Sequence, residues 1–231
     1  MKDKMLFDKV FFASIPPDAK FWGEIPLKPE FAVDSRRLKN GDIFVAIKGA
    51  RVDGHDFISQ VISAGAAGLI IDKSKYNIIE TLSLEIKNKL FIAIVDNPEK
   101  TLIKLATKWR ERFNIPIVGI TGSIGKTSTK EMLTNICKIA GLNILPTPGN
   151  QNTAILVSLS ILQLNSEHKV GIIEMGISKV GEMARMSEIV KPTIGVITYI
   201  GHSHMQGLGS LQGIASQKRE IFKYFNDSNI G

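Results

Sequence analysis

Residues 117–128 read Ile117-Val118-Gly119-Ile120-Thr121-Gly122-Ser123-Ile124-Gly125-Lys126-Thr127-Ser128, and this stretch decides the fold. Ile117–Thr121 is a short apolar run of the kind that forms a buried strand. A Gly-rich turn follows, and from Lys126 to Ala140 apolar residues recur at helical spacing. Strand, glycine loop and helix in that order are the setting in which Gly, four residues and Gly-Lys-Ser/Thr cradle a phosphate. The first position of that pattern is Ile120, so the match is not literal. Gly122 and Gly125 still supply a backbone whose successive N–H groups can point at phosphate oxygens. The start of the helix adds its positive dipole end. Lys126 is spaced to reach β- and γ-phosphates, and the Thr127 hydroxyl to meet Mg²⁺. A turn that merely contains Lys-Thr is the bland alternative, and the flanking strand and helix argue against it. The loop alone says nucleoside triphosphate, which fits kinases, GTPases, motors and ligases alike.

Working outward, strands alternate with helices on both sides of the loop. Asp42–Ile47, Gly68–Ile71 and Leu90–Val95 read as strands, with a helix over Gly54–Ala66 and a short helix within Lys73–Lys89. Asp96-Asn97-Pro98 is a breaker and places a domain boundary, giving 1–96 and 97–231. Leu102, Leu105, Ala106, Trp109 and Phe113 repeat at helical spacing over Pro98–Phe113, which makes them core residues. Beyond the loop come a helix over Thr153–Leu164, a strand Val170–Met175, a helix Gly181–Val190, a strand Ile194–Ile200 and a last helix from Ser210. This alternation predicts an α/β protein: a small N-terminal mixed α/β domain, then a parallel-sheet phosphate-loop domain.

Bulk properties narrow the class. The chain has 231 residues, 44% hydrophobic and 22% charged, the composition of a globular protein with a sizeable core. Its net charge of +7 comes from basic residues scattered along the chain. That pattern suits polyanionic small molecules better than nucleic acid. The single cysteine, Cys137, excludes an internal disulfide and reads as a small core residue. Asp8 and Lys9 interrupt the only short apolar stretch at the N-terminus, so no signal peptide is expected. No uninterrupted apolar run is long enough for a membrane span. Together these features predict a cytoplasmic protein.

Three later segments choose among the phosphate-loop classes. They are Thr147-Pro148-Gly149-Asn150-Gln151-Asn152-Thr153, then Glu174-Met175-Gly176 with Gly181-Glu182, then His202-Ser203-His204 with Gly207-Leu208-Gly209-Ser210 and Lys218. With the loop, they resemble the Mur ligases, and among these the MurF type. That family characteristically has Thr-Gly-Ser/Thr-x-Gly-Lys-Thr/Ser without a leading glycine, which accounts for Ile120. Asp34-Ser35-Arg36, Gly41–Ala46 and Asp53-Gly54-His55 are similar to the UDP-sugar-binding domain shared by MurE and MurF. The resemblance spans residues 31–222. The chain departs from the family's usual residues at Leu156, Ser158 and Tyr199-Ile200-Gly201-His202.

The resemblance implies an ATP- and Mg²⁺-dependent ligase of peptidoglycan synthesis. It would join D-alanyl-D-alanine to UDP-N-acetylmuramoyl-tripeptide through an acyl phosphate. Thr121, Gly122, Ser123, Ile124, Gly125, Lys126, Thr127 and Ser128 would hold ATP. Ser35, Arg36, Asn150, Asn152 and Thr153 would contact substrate. Lys126, Glu174, His204 and Lys218 would be catalytic. Thr127, Glu174, His204 and a carbamylated Lys218 would bind metal. The lone residues have plainer readings as well: a strand-end Glu is often a solvated loop residue, and Asp34-Ser35-Arg36 could be a simple turn. His55 and His202 read as structural or peripheral. The family continues through the rest of its central domain and a C-terminal domain, which this chain is expected to lack and a separate fragment could supply. Two other readings stay open: a fragment that only binds its nucleotide and UDP ligands, and another amide ligase of the superfamily, MurE-like.

Overall fold

The computed structural model describes residues 11–12, 19–26 and 29–231. Asp8 and Lys9 lie outside the described residues. The chain divides into two compact units, Met1–Leu105 and Ala106–Gly231. The dividing line falls inside the helix that starts at Pro98, later than the breaker at Asn97-Pro98.

The first unit is built on a five-stranded sheet, β1 (Lys20–Trp22), β2 (Phe31–Ala32), β3 (Ile43–Val45), β4 (Gly68–Asp72) and β5 (Phe91–Val95), in the order β1-β5-β4-β3-β2. The pairs β2–β3, β3–β4 and β4–β5 are parallel, and β1 is antiparallel to β5. β3 and β5 are buried along their whole length, which is why they read as continuous apolar runs instead of alternating ones. The expected helix over Gly54–Ala66 is a 3₁₀ turn, Gly54–Phe57, followed by α1 (Ile58–Ser63). The polar stretch after β4 carries α2 (Tyr76–Glu80) and α3 (Leu84–Lys89). Phe44, Ile58, Val61, Leu69, Ile71 and Ile92 make one core between sheet and helices.

His55 clamps this unit from inside. Its side chain is 2% exposed. Nδ1 lies 2.6 Å from Asp53 Oδ1, and Nε2 accepts the Asp72 N–H at 3.0 Å. An accepting Nε2 leaves the proton on Nδ1, where Asp53 receives it. The imidazole therefore ties the turn before α1 to the end of β4, and the structural reading of His55 is the one its geometry supports.

The second unit holds a four-stranded, wholly parallel sheet: β6 (Ile117–Thr121), β7 (Ile144–Pro146), β8 (Val170–Glu174) and β9 (Ile194–Ile197), in the order β7-β8-β6-β9. β7 was not legible in advance, since three residues ending in Pro146 give no period. The other elements are α4 (Pro98–Arg110), which crosses the dividing line, α5 (Lys126–Ile139), α6 (Ala154–Leu162), α7 (Glu182–Val190), α8 (Met205–Leu208) and α9 (Leu211–Arg219). Val118, Ile120, Ile144 and Ile172 form the core under α5, with Leu133 and Cys137 against them. The buried guanidinium of Arg110 donates to Val190 O at 2.8 Å and Lys191 O at 3.3 Å, satisfying carbonyls at the end of α7. The chain leaves β6 for β7 and β8 on one side and reaches β9 on the other. The carboxyl end of β6 is thus a switch point, where open α/β sheets bind ligands. Among the described residues no helix is long and apolar enough to cross a membrane.

Replacing His55 by Ala strands the Asp72 N–H and takes the imidazole from Asp53, which keeps the backbone N–H of residue 55 and Lys75. Unfilled buried partners of this kind cost about 1–3 kcal/mol. Chemical denaturation of His55→Ala should show that loss in the unfolding of the first unit, with nucleotide binding by the second unchanged.

Candidate active site

The loop after β6 takes its shape from two glycines. Gly122 has φ 155°, and a Cβ there would lie 1.9 Å from Thr198 Oγ1. Gly125 has φ 87° and caps α5, a left-handed conformation that glycine adopts without strain. The extension of β9 braces the loop from the far side. Thr198 Oγ1 donates to Ile124 O at 2.6 Å, and Ser123 N–H donates to Tyr199 O at 2.7 Å. Ser123 Oγ is bonded to Gly201 O, Gly201 N and Ser203 Oγ at 2.9–3.0 Å. Lys126 folds back over the loop, its Nζ donating to Gly122 O at 2.8 Å.

Glu174, at the carboxyl end of β8 and 1% exposed, is the centre of the polar network. Oε2 accepts from Thr127 Oγ1 at 2.9 Å, and Oε1 accepts from Asn152 Nδ2 at 2.9 Å. Its own N–H donates to Thr147 Oγ1 at 2.9 Å. A buried carboxylate is tolerable only with such partners. Glu174 is therefore no solvated loop residue. Asn152 is fixed in turn, because its carbonyl accepts the Gly176 N–H at 3.0 Å and any Cβ at Gly176 would sit 2.6 Å from its side chain.

Lys218 on α9 is 1% exposed. Burial, and secondarily the nearby Lys126 charge, pushes its amine down to about 8. The site thus holds two lysines of different character: Lys126 on the loop and a readily neutralised Lys218 behind it. His204 sits in the left-handed region, φ 56°, and caps α8. It lines an open cleft of about 530 Å³ with Ser178, Lys179, His202, Met205 and Gln206. Asn150 and Thr153 are exposed on the 147–153 loop. In the first unit, Arg36 pairs with Asp34 through Nε and Nη2 at 2.9 and 2.7 Å. The Arg36 hydrogen bonds hold the Asp34 carboxyl down at about 2. Asp34 also accepts the Arg36 N–H, so the three residues do form a tight turn, one that presents the Arg36 side chain to solvent.

Three supporting side chains were not singled out as candidates in the sequence. Thr147 supports Glu174, Thr198 supports the loop, and Lys130 is buried between α5 and the 147–150 segment. Thr147 stood in a segment already quoted for its resemblance, and Lys130 left a signal of its own: it falls on the inward stripe of α5 with Leu133, Thr134 and Cys137, where an ammonium is out of place unless bonded.

The donor set fits a nucleotide and a divalent cation. Glycines leave the loop backbone open, Lys126 supplies charge, and the Thr127 hydroxyl and Glu174 carboxylate stand together as oxygen donors, the ligand type Mg²⁺ prefers. No group of three or more His, Cys, Asp or Glu side chains is placed to hold a metal ion among the described residues. Any cation here would lean on Thr127, Glu174, water and phosphate.

Fold and site together define a phosphate-loop α/β protein of the nucleotide-dependent kind. Residues 120–231 match the Mur ligase middle domain, and residues 31–108 match the Mur ligase family, catalytic domain. The chain belongs to the Mur ligase family. It is 37% identical over 191 residues to a UDP-N-acetylmuramoyl-tripeptide–D-alanyl-D-alanine ligase of Synechocystis sp., covering 83% of this chain and 40% of the relative. It is 34% identical over 197 residues to the ligase of that name from Escherichia coli, covering 85% and 41%. Among solved structures it superposes on MurF from Acinetobacter baumannii with TM-score 0.80 at 28% identity, covering 98% of this chain and 48% of that one. MurF ligase from Thermotoga maritima in complex with ADP gives TM-score 0.70 at 34% identity, covering 87% and 44%. The chain thus spans about two fifths of the length of the curated relatives it matches.

The Lys218 amine carries a pH dependence with a definite sign. Folded, it titrates at about 8; unfolded, it returns to the ordinary 10.5. Between those values the unfolded chain holds more protons, so stability rises with pH across that window, and the cost of the buried charge is full below it. Thermal unfolding from pH 7 to 10.5 should show this rise in the wild type and a flatter profile in Lys218→Met.

Proposed function

We propose that this chain is the UDP-substrate- and ATP-binding part of a ligase that joins D-alanyl-D-alanine to UDP-N-acetylmuramoyl-tripeptide in peptidoglycan synthesis. The observation that carries the reading is the bond from Thr127 Oγ1 to Glu174 Oε2, 2.9 Å, directly behind the glycine loop. It sets a hydroxyl and a carboxylate side by side as oxygen donors that would hold a Mg²⁺ ion accompanying ATP. The likeness to D-alanyl-D-alanine ligases supplies the substrate class.

In this reading the loop amides from Gly122 to Ser128 and the Lys126 ammonium hold the triphosphate, with Thr121 at the loop's start. Lys126 exchanges its bond to Gly122 O for phosphate oxygen, a charge-assisted bond that is stronger. ATP with Mg²⁺ supplies the phosphoryl group that activates the tripeptide carboxylate. The protein's part is to orient that carboxylate and offset the charge that builds as oxygen meets phosphorus. Asn150, Asn152 and Thr153 lie on one loop beside Glu174 and orient substrate. Lys218, with its amine pushed down, is suited to add to CO₂ and release a proton to water; the carbamate oxygens and His204 would then offer ligands to a second cation. In the first unit Ser35 and Arg36 receive the UDP diphosphate, the Arg36 fork moving from Asp34 to phosphate. Closure on the incoming amine belongs to parts of the relatives beyond this chain's span, carried on the same polypeptide or a separate fragment. The reaction takes place in the cytoplasm, where the nucleotide-linked precursor and ATP meet.

Calorimetric titration tests the two binding roles separately. ATP·Mg²⁺ should bind the wild type, and Lys126→Ala should weaken it by about 1.5–3 kcal/mol, the size of a hydrogen bond to a charged group. Equal affinity in the variant removes Lys126 from the phosphate site. UDP should bind the first unit, and Arg36→Ala should weaken it; unchanged UDP affinity would overturn the diphosphate assignment while leaving the ATP site standing.

A further inference from the structure

Lys130 has no part in the binding scheme above, yet it is among the most deeply buried side chains of the second unit, 1% exposed. It lies one helical turn beyond Lys126 on α5. Its Nζ donates to Thr147 O at 3.0 Å and to Gly149 O at 2.5 Å, and pairs with Glu131 at 2.9 Å. Two carbonyls on one short segment are thus gathered onto a single ammonium. Removing an ammonium from water costs several kcal/mol, so its place here is set by what it holds.

What it holds is the support of Glu174. Thr147, whose carbonyl accepts from Lys130, also accepts the Glu174 N–H on its hydroxyl oxygen. Past Gly149 the same loop delivers Asn152, whose amide donates to Glu174 Oε1. The opposite oxygen of Glu174 faces Thr127, which stands on α5 three residues before Lys130. α5 therefore grips Glu174 twice: directly through Thr127, and indirectly through Lys130 and the 147–152 loop.

We infer that Lys130 is a positioning residue that fixes the 147–152 loop on α5 and thereby aims the Glu174 carboxylate at the cation position beside Thr127. This rests on the reading of Thr127 and Glu174 as the Mg²⁺ site. Residues that orient a metal ligand act on metal affinity more than on the remainder of the ligand, typically by about 10- to 100-fold when removed. Lys130 should therefore set how strongly Mg²⁺ tightens ATP binding, and should leave metal-free ATP binding alone.

The test measures ATP affinity with excess Mg²⁺ and with EDTA for the wild type, Lys130→Met and Asn152→Ala, together with amide hydrogen exchange over residues 147–153 without ligand. Lys130→Met keeps the length of the side chain and removes the charge. The expected result is metal-free affinity within about twofold of wild type, a Mg²⁺ enhancement cut by about tenfold or more, and faster exchange over 147–153. Asn152→Ala, which leaves the buried amine in place, should reproduce the Mg²⁺ defect, and the double variant should add little to either. A Lys130→Met protein with wild-type Mg²⁺ enhancement and unchanged exchange overturns the inference. So does an Asn152→Ala protein with full Mg²⁺ enhancement, which also decides the matter if Lys130→Met does not fold. If Mg²⁺ does not tighten ATP binding to the wild type at all, the metal-site reading fails, and exchange over 147–153 alone then judges whether Lys130 anchors the loop.

Discussion

A carboxylate buried at the end of a strand has to be surrounded by donors, and in the second unit nearly every element near the loop answers to that demand. Glu174 ends β8 next to β6. Its two oxygens and its backbone N–H engage three residues on two segments: Thr127 at the start of α5, and Thr147 and Asn152 on the loop that follows β7. The strand order β7-β8-β6-β9 is what makes this possible, since β8 lies between the strand leading to the loop and the strand leading to the asparagines.

The glycine loop is held by a separate set of contacts from the opposite neighbour. β9 pairs with β6 and continues as Thr198–Ser203 under the loop, taking the Ser123 N–H and hydroxyl and the Ile124 carbonyl. One side of β6 therefore positions acidic and amide groups, and the other positions the backbone that meets phosphate. The family's usual residues are replaced at Tyr199-Ile200-Gly201-His202, but the contacts made there run largely through main chain: Tyr199 O, Gly201 N and Gly201 O. Main-chain contacts of this kind do not depend on which side chains stand at these positions.

Three lysines share this region and owe their behaviour to burial and neighbours. Lys126 sits on the loop with its amine on a carbonyl. Lys130 is buried but satisfied by carbonyls and Glu131. Lys218 is buried and set against the Lys126 charge, which together push its amine down. The same ammonium group is thus a loop cation on a single carbonyl, a buried and fully bonded amine, and an amine pushed down by burial, according to the acceptors within reach.

The strand–loop–helix around Lys126 and the parallel α/β architecture were legible in the chain, because local period and motif spacing encode them directly, whereas Glu174 was singled out only through the resemblance, and its bond to Thr127 came with the fold. The single helix expected over Gly54–Ala66 proved to be a 3₁₀ turn followed by a helix, since Asp53 and His55 take up the local bonds that an α-turn would use. Short strands such as β1, β2 and β7 leave no period to read. The tertiary structure alone decided that Lys130 meets the carbonyls of Thr147 and Gly149, that Arg36 rests on Asp34, and that the β9 extension braces the loop. Each depends on which carbonyls and carboxylates a long side chain or a neighbouring strand meets after folding. Sequence fixes the reach of such groups, and only the packing of elements far apart in the chain determines what lies within it.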